Sequence, residues 1–306
     1  MTDSAFSVER AGALTTVQDL GRTGHAHLGV PRSGALDQPA HRLANRLAGN
    51  ADDAATLETT LTGCAVRPRR PVTVAVTGAP CAVSVDGRPA AWGAPVRVPA
   101  GALLELGAAT HGVRSYLAFD GGVAADPVLG SRATDVLSGL GPAPLADGAV
   151  LALGRAGDAP PAVDVVPHRG VPRELVLPVV LGPRDDWFTA AGLRTLTTGG
   201  FRVSAASNRI GLRTEGPALE RAREGELPSE GMALGAIQVP PDGRPVLFLA
   251  DHPTTGGYPV VGVVPERWLA AAAQAVPGTG VRFTPLGRVF RGRTAPAPSP
   301  ERARRG

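Results

Sequence analysis

The stretch CAVSVDGRPA (81–90) alternates apolar with small or polar residues on either side of Asp86-Gly87, and that pattern predicts a β-hairpin closed by a two-residue turn. Outward from it, valine-rich runs at 72–76, 95–98, 102–106, 113–119 and 149–153 are cut by turns in the same style. A second series follows at 174–180, 201–205, 235–239, 246–250, 259–264 and 281–285. Helical signals are few. Asp37 is placed to cap a helix running to about Ala48, with Pro39 in its first turn and Gly49-Asn50 as its stop. Two more helices are expected near 184–195 and 265–276.

The whole chain agrees with this mainly β reading. Its 306 residues include 40 glycines and 30 prolines, spread between apolar runs as turns are. The segment DAPPAVDVVPHRGVP (158–172) carries four prolines in fifteen residues and little periodicity, so it predicts a boundary between two β-rich lobes, 1–160 and 172–290. The remainder, 291–306, is arginine- and proline-rich and reads as a disordered basic tail. An echo between Arg114-x-Tyr-Leu-Ala-Phe-Asp120 and Arg244-x-Val-Leu-Phe-Leu-Ala-Asp251 leaves duplication of the lobes open.

Charge and composition exclude several chemistries. The formal net charge is +4, but five arginines against one glutamate fall in the tail, leaving 1–290 close to neutral and nucleic-acid binding weakly supported. All 31 basic residues are arginine. A chain without lysine forms no lysine Schiff base, carries no P-loop lysine and holds no biotin on its own side chain. Cys64 and Cys81 are too few for a zinc cage, no signal-like segment opens the chain, and a cytoplasmic setting is expected. No apolar run approaches the roughly 20 residues of a membrane helix.

Four dense polar clusters stand out: Asp19, Arg22 and Asp37 around a glycine loop, SNRIGLR (207–213), SEGMALGAIQ (229–238) and ADHPTTGGY (250–258). Taken singly, each is equally a set of turn caps and arginine pairs. The last is the most informative, because an apolar strand delivers Asp251 and His252 into a loop of hydroxyls and glycine amides. Proton transfer and oxyanion stabilisation could share such a strand end. Asp251, His252 and Asp19 are therefore the expected proton-transfer groups. Asn208, Arg209 and Arg213 supply donors suited to a carboxylate, a phosphate or a polarised carbonyl. His25 and His27 would share one face of a strand and could take a metal, although no second ligand pair stands nearby. Glu58 and Glu230 read as partners of structural arginines, and Asp185-Asp186 as a helix start.

With these clusters assembled, the sequence resembles the carboxyltransferase A/B domain family, which includes the C subunit of bacterial 5-oxoprolinase, allophanate hydrolase subunit 2 and the KipA-like proteins. The resemblance is carried by TTVQDLGRTGHAHLGVPRSGALD (15–37), LGSRATD (129–135), SNRIGLRTEG (207–216), SEGMALGAIQVPPDGRPV (229–246) and DHPTTGGYP (251–259). It implies two cyclophilin-like β-barrel lobes and, for a partner, a KipI-like B subunit, joined by a further A subunit in 5-oxoprolinase. The activity it implies is ATP-dependent opening of 5-oxo-L-proline, a small cyclic amide, to L-glutamate. The alternatives are a biotin-dependent carboxyltransferase component, biotin arriving on a separate carrier, and a non-catalytic KipA-type regulator. Arg22, Asn208, Arg209, Arg213, Gln238, Thr254, Thr255 and Tyr258 are then expected to bind substrate beside Asp251, His252 and Asp19. No metal is expected. Thr214 stands where the family pattern has leucine, and Pro253 where it has glutamine.

Overall fold

The computed structural model describes residues 5–157, 165 and 174–287. The boundary segment 158–172, apart from residue 165, and the tail 291–306 lie outside the described residues.

The hairpin forms as read: Cys81–Val85 pairs with Arg88–Ala90, and Asp86 and Gly87 take left-handed φ of 48° and 72° between them. This hairpin ends a six-stranded antiparallel sheet ordered Val150–Ala152, Ala5–Arg10, Ala65–Pro68, Leu104–Ala109, Cys81–Val85, Arg88–Ala90. A five-stranded sheet faces it, ordered Thr15–Gln18, Thr56–Thr60, Arg114–Phe119, Val72–Gly78, Val96–Val98. Between the sheets lies an apolar core including Phe6, Val66, Leu104, Leu117 and Phe119, where the rings of Phe6 and Phe119 stack at 4.7 Å.

Alternation along the five-stranded sheet decides what lies outside that core. Leu57 and Leu117 point in, so their neighbours Glu58 and Tyr116, register partners across the ladder, point out. The capped helix, Gln38–Leu47, packs on this outer face over Ala75, Tyr116 and Ala118. Asp37 caps it by accepting from Ala40 N at 3.1 Å.

The second lobe closes into a seven-stranded barrel: Glu174–Leu181, Val260–Val263, Ala236–Gln238, Val246–Phe248, Gly211–Glu215, Phe201–Val203 and Gly280–Pro285, the last returning to the first in parallel. Leu177, Leu212, Ile237, Leu247, Val261 and Phe283 fill it, and Leu36 from the first lobe joins the same core. The predicted helix at 184–195 is replaced by a 3-10 turn, Asp185–Trp187, and a helix at Ala190–Thr198. Burial of Trp187 and Phe188 holds Phe188 extended, and the helix restarts where Thr189 Oγ1 accepts from Gly192 N at 3.0 Å. The 265–276 prediction resolves into a 3-10 turn, Glu266–Trp268, and a short helix, Leu269–Ala273. Among the described residues no helix is long and apolar enough to cross a membrane.

Candidate functional site

The outward face of the five-stranded sheet and one end of the barrel meet through buried polar groups. Arg209 lies at their centre, 1% exposed. Its Nε and Nη2 donate to the two oxygens of Asp251 at 2.9 and 3.0 Å, Nη2 also reaches Gly34 O at 2.7 Å, and Nη1 donates to Glu58 Oε1. Glu58 Oε2 accepts from Tyr116 Oη at 2.7 Å and from Leu36 N at 3.0 Å. Tyr116 Oη in turn accepts from Asp37 N at 2.7 Å. Gln274 of the second lobe completes the joint, donating to Asp37 Oδ2 and accepting from the Val113 and Arg114 amides.

Electrostatics follow from this packing. Burial alone opposes ionisation of Glu58, but Arg209 and Arg114 override it and hold its carboxyl below the usual range. Burial likewise disfavours the charged form of Arg209, and Asp251 and Glu58 more than reverse it. The Tyr116 hydroxyl is held well above its ordinary range by burial and the neighbouring Glu58 and Asp37. Arg209 thus stays cationic as a strut between lobes.

This arrangement changes the expected roles. Asp251 accepts from Arg209 twice, from Ser33 Oγ at 2.7 Å and from Val136 N at 3.1 Å, so its lone-pair sites are filled. It positions the loop and is not free to take a substrate proton. Asp19, expected as a base, accepts from Gly21 N, Ser131 Oγ and Arg132 N at 2.6–2.8 Å and ties the glycine loop to the 128–135 segment. Arg22 is buried beside it, bonded to the carbonyls of Val128 and Ala133. Arg209 is committed to carboxylates, which removes it as a direct substrate donor.

Asn208 and Arg213 also leave the expected cluster. Asn208 Oδ1 accepts from Ile210 N and Gly211 N at 2.9 and 3.2 Å, holding its own turn. Arg213, opposite Val246 in the ladder, is exposed in a groove with Glu215, Asp242 and Arg244. Thr214 is buried and donates to Pro245 O at 2.7 Å, a bond no leucine makes.

What remains together is the loop after Asp251. His252 is 6% exposed and stacks on Phe248 at 5.7 Å, and its Nδ1 lies 2.8 Å from Pro253 O. A carbonyl only accepts, so Nδ1 carries the hydrogen and Nε2 presents a lone pair. Burial lowers the imidazole's pKa below its ordinary value, while Pro253 O, Asp251 and Asp135 pull the other way. Thr255-Gly256 pairs with Glu230-Gly231, Met232 N donates to Thr254 O at 2.8 Å, and Gln238 Nε2 reaches Tyr258 O at 3.4 Å. Pro253 therefore contributes a carbonyl that fixes the imidazole. Glu230 pairs with Arg184, as its arginine reading expected. Asp135, which sequence reasoning does not rank, acts on His252 and tethers the 135–140 turn by accepting from Leu137 N and Ser138 Oγ. Sequence reasoning also misses Ser33, Arg114, Tyr116 and Gln274, whose roles depend on partners far along the chain. His25 precedes and His27 sits within a 3-10 turn, Ala26–Leu28, where no strand aligns them, and among the described residues no group of three or more His, Cys, Asp or Glu is placed to hold a metal.

Comparison with known proteins matches residues 28–285 to the family described as carboxyltransferase domain, subdomain A and B. The chain is 37% identical to the C subunit of 5-oxoprolinase from Escherichia coli (strain K12), over 91% of its own length and 90% of that protein's. The crystal structure of TTHA0988 superposes with a TM-score of 0.83 at 37% identity, covering 92% of this chain and 56% of that one. Kluyveromyces lactis urea amidolyase gives a TM-score of 0.86 at 30% identity over 94% of this chain, which spans only 19% of that protein.

Proposed function

The chain belongs to the carboxyltransferase domain family of subdomains A and B, and from that premise we propose that it serves as the C subunit of an ATP-dependent 5-oxoprolinase, opening 5-oxo-L-proline to L-glutamate with partner subunits. The observation that carries the chemistry is His252: a buried, neutral imidazole whose tautomer is fixed by Pro253 O and whose Nε2 lone pair faces away from that bond. In this reading Nε2 takes the proton of the ring N–H as the lactam carbonyl is activated and returns it to the nitrogen as the C–N bond breaks, and Gln238, Thr254, Thr255 and Tyr258 line the loop that receives the lactam. The net reaction adds water across the lactam C–N bond, the nitrogen leaves as the glutamate amine, and ATP hydrolysis drives the opening. ATP is assigned to partner subunits, among them a KipI-like B subunit. Support for that assignment is the lack of lysine and the glycine loop folded onto the Asp19 carboxylate, which would repel phosphate.

The test is glutamate release by the reconstituted complex. His252→Asn is expected to lower kcat by about 10²–10⁴ fold, with assembly of the complex unchanged. Undiminished turnover in that variant would sink the assignment. A second reading, carboxyl transfer from carboxybiotin, is supported by the likeness to urea amidolyase, since a cyclic urea and a lactam share a ring N–C=O. Biotin-dependent activity of the assembled complex without 5-oxoproline turnover would favour it. The cytoplasm is the compartment this reading proposes.

A further inference from the structure

The two lobes enclose a second cavity, of about 220 Å³, that none of His252, Thr254, Thr255 or Tyr258 lines. Its floor is apolar, with Leu36 from the first lobe against Leu249 and Leu269 from the second. Its rim is cationic. Arg32 and Arg42 reach it from the first lobe and Arg267 from the second, against one carboxylate, Glu266.

These arginines are incompletely matched. Arg32 Nη1 donates to Glu266 Oε1 at 2.8 Å, a bond that crosses between the lobes, yet Arg32 Nε is buried with no partner among the described residues. Arg42 donates to the neutral Gln38 Oε1 at 3.4 Å and lies 3.6 Å from an Asp52 oxygen, but both oxygens of Asp52 are taken by Arg46 at 2.7 Å. Arg267 is exposed and forms no ion pair among the described residues. A buried N–H without an acceptor is costly, and an entering anion would supply one.

Two other cavities present no comparable cationic rim over an apolar floor. In the 450 Å³ groove, Arg213 and Arg244 face Glu215 and Asp242. In the 180 Å³ one, Arg114 Nε also lacks a hydrogen-bond partner, but its ion-pair partner, Glu58 at 3.5 Å, is buried and shared with Arg209, so no cationic rim faces solvent there.

We infer that the cavity between the lobes is a binding site for a small monocarboxylate with an aliphatic or alicyclic body, its carboxylate held by Arg32 and Arg267 and its hydrocarbon part on Leu249 and Leu269. The planar forks of two guanidiniums suit a carboxylate. The volume is below the roughly 300–1,000 Å³ of pockets for drug-sized molecules, so the body is a few carbons. A dianionic phosphate would bring a second charge toward Glu266 and nothing to cover the apolar floor. Because the arms come from both lobes, such a ligand would bridge them. The site stands independently of the oxoprolinase proposal.

Calorimetric titration of the full chain tests this, with cyclopentanecarboxylate as probe, cyclopentanecarboxamide as neutral control and inorganic phosphate as charge control. The carboxylate is expected to bind at least about tenfold tighter than either control, and Arg32→Gln or Arg267→Gln to weaken it by about tenfold. Ala270→Phe fills the cavity and leaves every charge in place, and it should abolish binding. Amide binding as tight as the carboxylate, phosphate binding tighter, indifference to Ala270→Phe or to Arg267→Gln, or no saturable carboxylate binding would each overturn the inference.

Discussion

His41 shows how one side chain can set the acid limit of the fold. It is fully buried on the capped helix, with Nδ1 2.9 Å from Thr56 Oγ1 and Nε2 3.4 Å from Asn45 Nδ2. Asn45 Nδ2 donates, so a proton on Nε2 would face a donor. Burial lowers the imidazole from its ordinary 6.5 to about 4. The unfolded chain therefore takes up a proton near pH 6.5 that the folded chain refuses until about pH 4. Stability falls as pH drops through that window, by about 3 kcal/mol at most, and is unaffected above it. Urea midpoints measured between pH 7.5 and 4 should show this loss, and His41→Gln should flatten the slope; an equal slope in the variant would refute the assignment. None of this was legible in the sequence, where His41 is one helix residue among polar neighbours. The cap at Asp37 was legible because a cap acts within three residues.

Elements were legible where the cause is local and obscure where it is not. The Asp86-Gly87 hairpin follows from two adjacent residues. The strands Thr15–Gln18 and Thr56–Thr60 are buried threonine-rich segments with no apolar alternation to mark them, since the second lobe covers the face that water would otherwise wet. The strand Gly211–Glu215 lies among polar-cluster residues and is absent from the expected strands because it opens on glycine, yet the barrel needs a side chain missing at another such position. A Cβ on Gly262 would lie 2.5 Å from Val179 Cγ1 and 2.8 Å from Val180 O, within the ladder that joins Val260–Val263 to Glu174–Leu181. Gly262→Ala is expected to destabilise the barrel by about 2 kcal/mol or more through overpacking. Gly278, at φ +85° in open space, should lose only about 1 kcal/mol to alanine through backbone strain. Chemical denaturation of both variants checks the ranking, and the reverse order would mean that the strand shifts to make room.

On the scale of the molecule, the lobes are joined by a charged strut as well as by apolar packing. Truncating Arg209 to methionine leaves Asp251 buried without an ion-pair partner and Glu58 with Arg114 alone, 3.5 Å away, at about 3–5 kcal/mol. Because those carboxylates belong to different lobes, the loss should fall on lobe docking first. Calorimetry of Arg209→Met is expected to show two thermal transitions where the parent shows one; a single transition at an unchanged midpoint would mean that apolar contacts alone join the lobes. The dense clusters were visible in the sequence, but their division into a strut, a turn, an outer groove and the His252 loop was not. That division depends on partners such as Glu58, 151 residues from Arg209, and no local pattern encodes such a distance.

The same separation has a temporal meaning. A ribosome adds about 5–20 residues per second, so roughly eight to thirty seconds pass between the emergence of Glu58 and that of its guanidinium partner. During that interval the outer face of the first sheet must stay hydrated and unjoined. The nascent chain carries an unprotected polar seam until the barrel arrives to seal it, and slowing translation after the first lobe would lengthen the exposure of that seam.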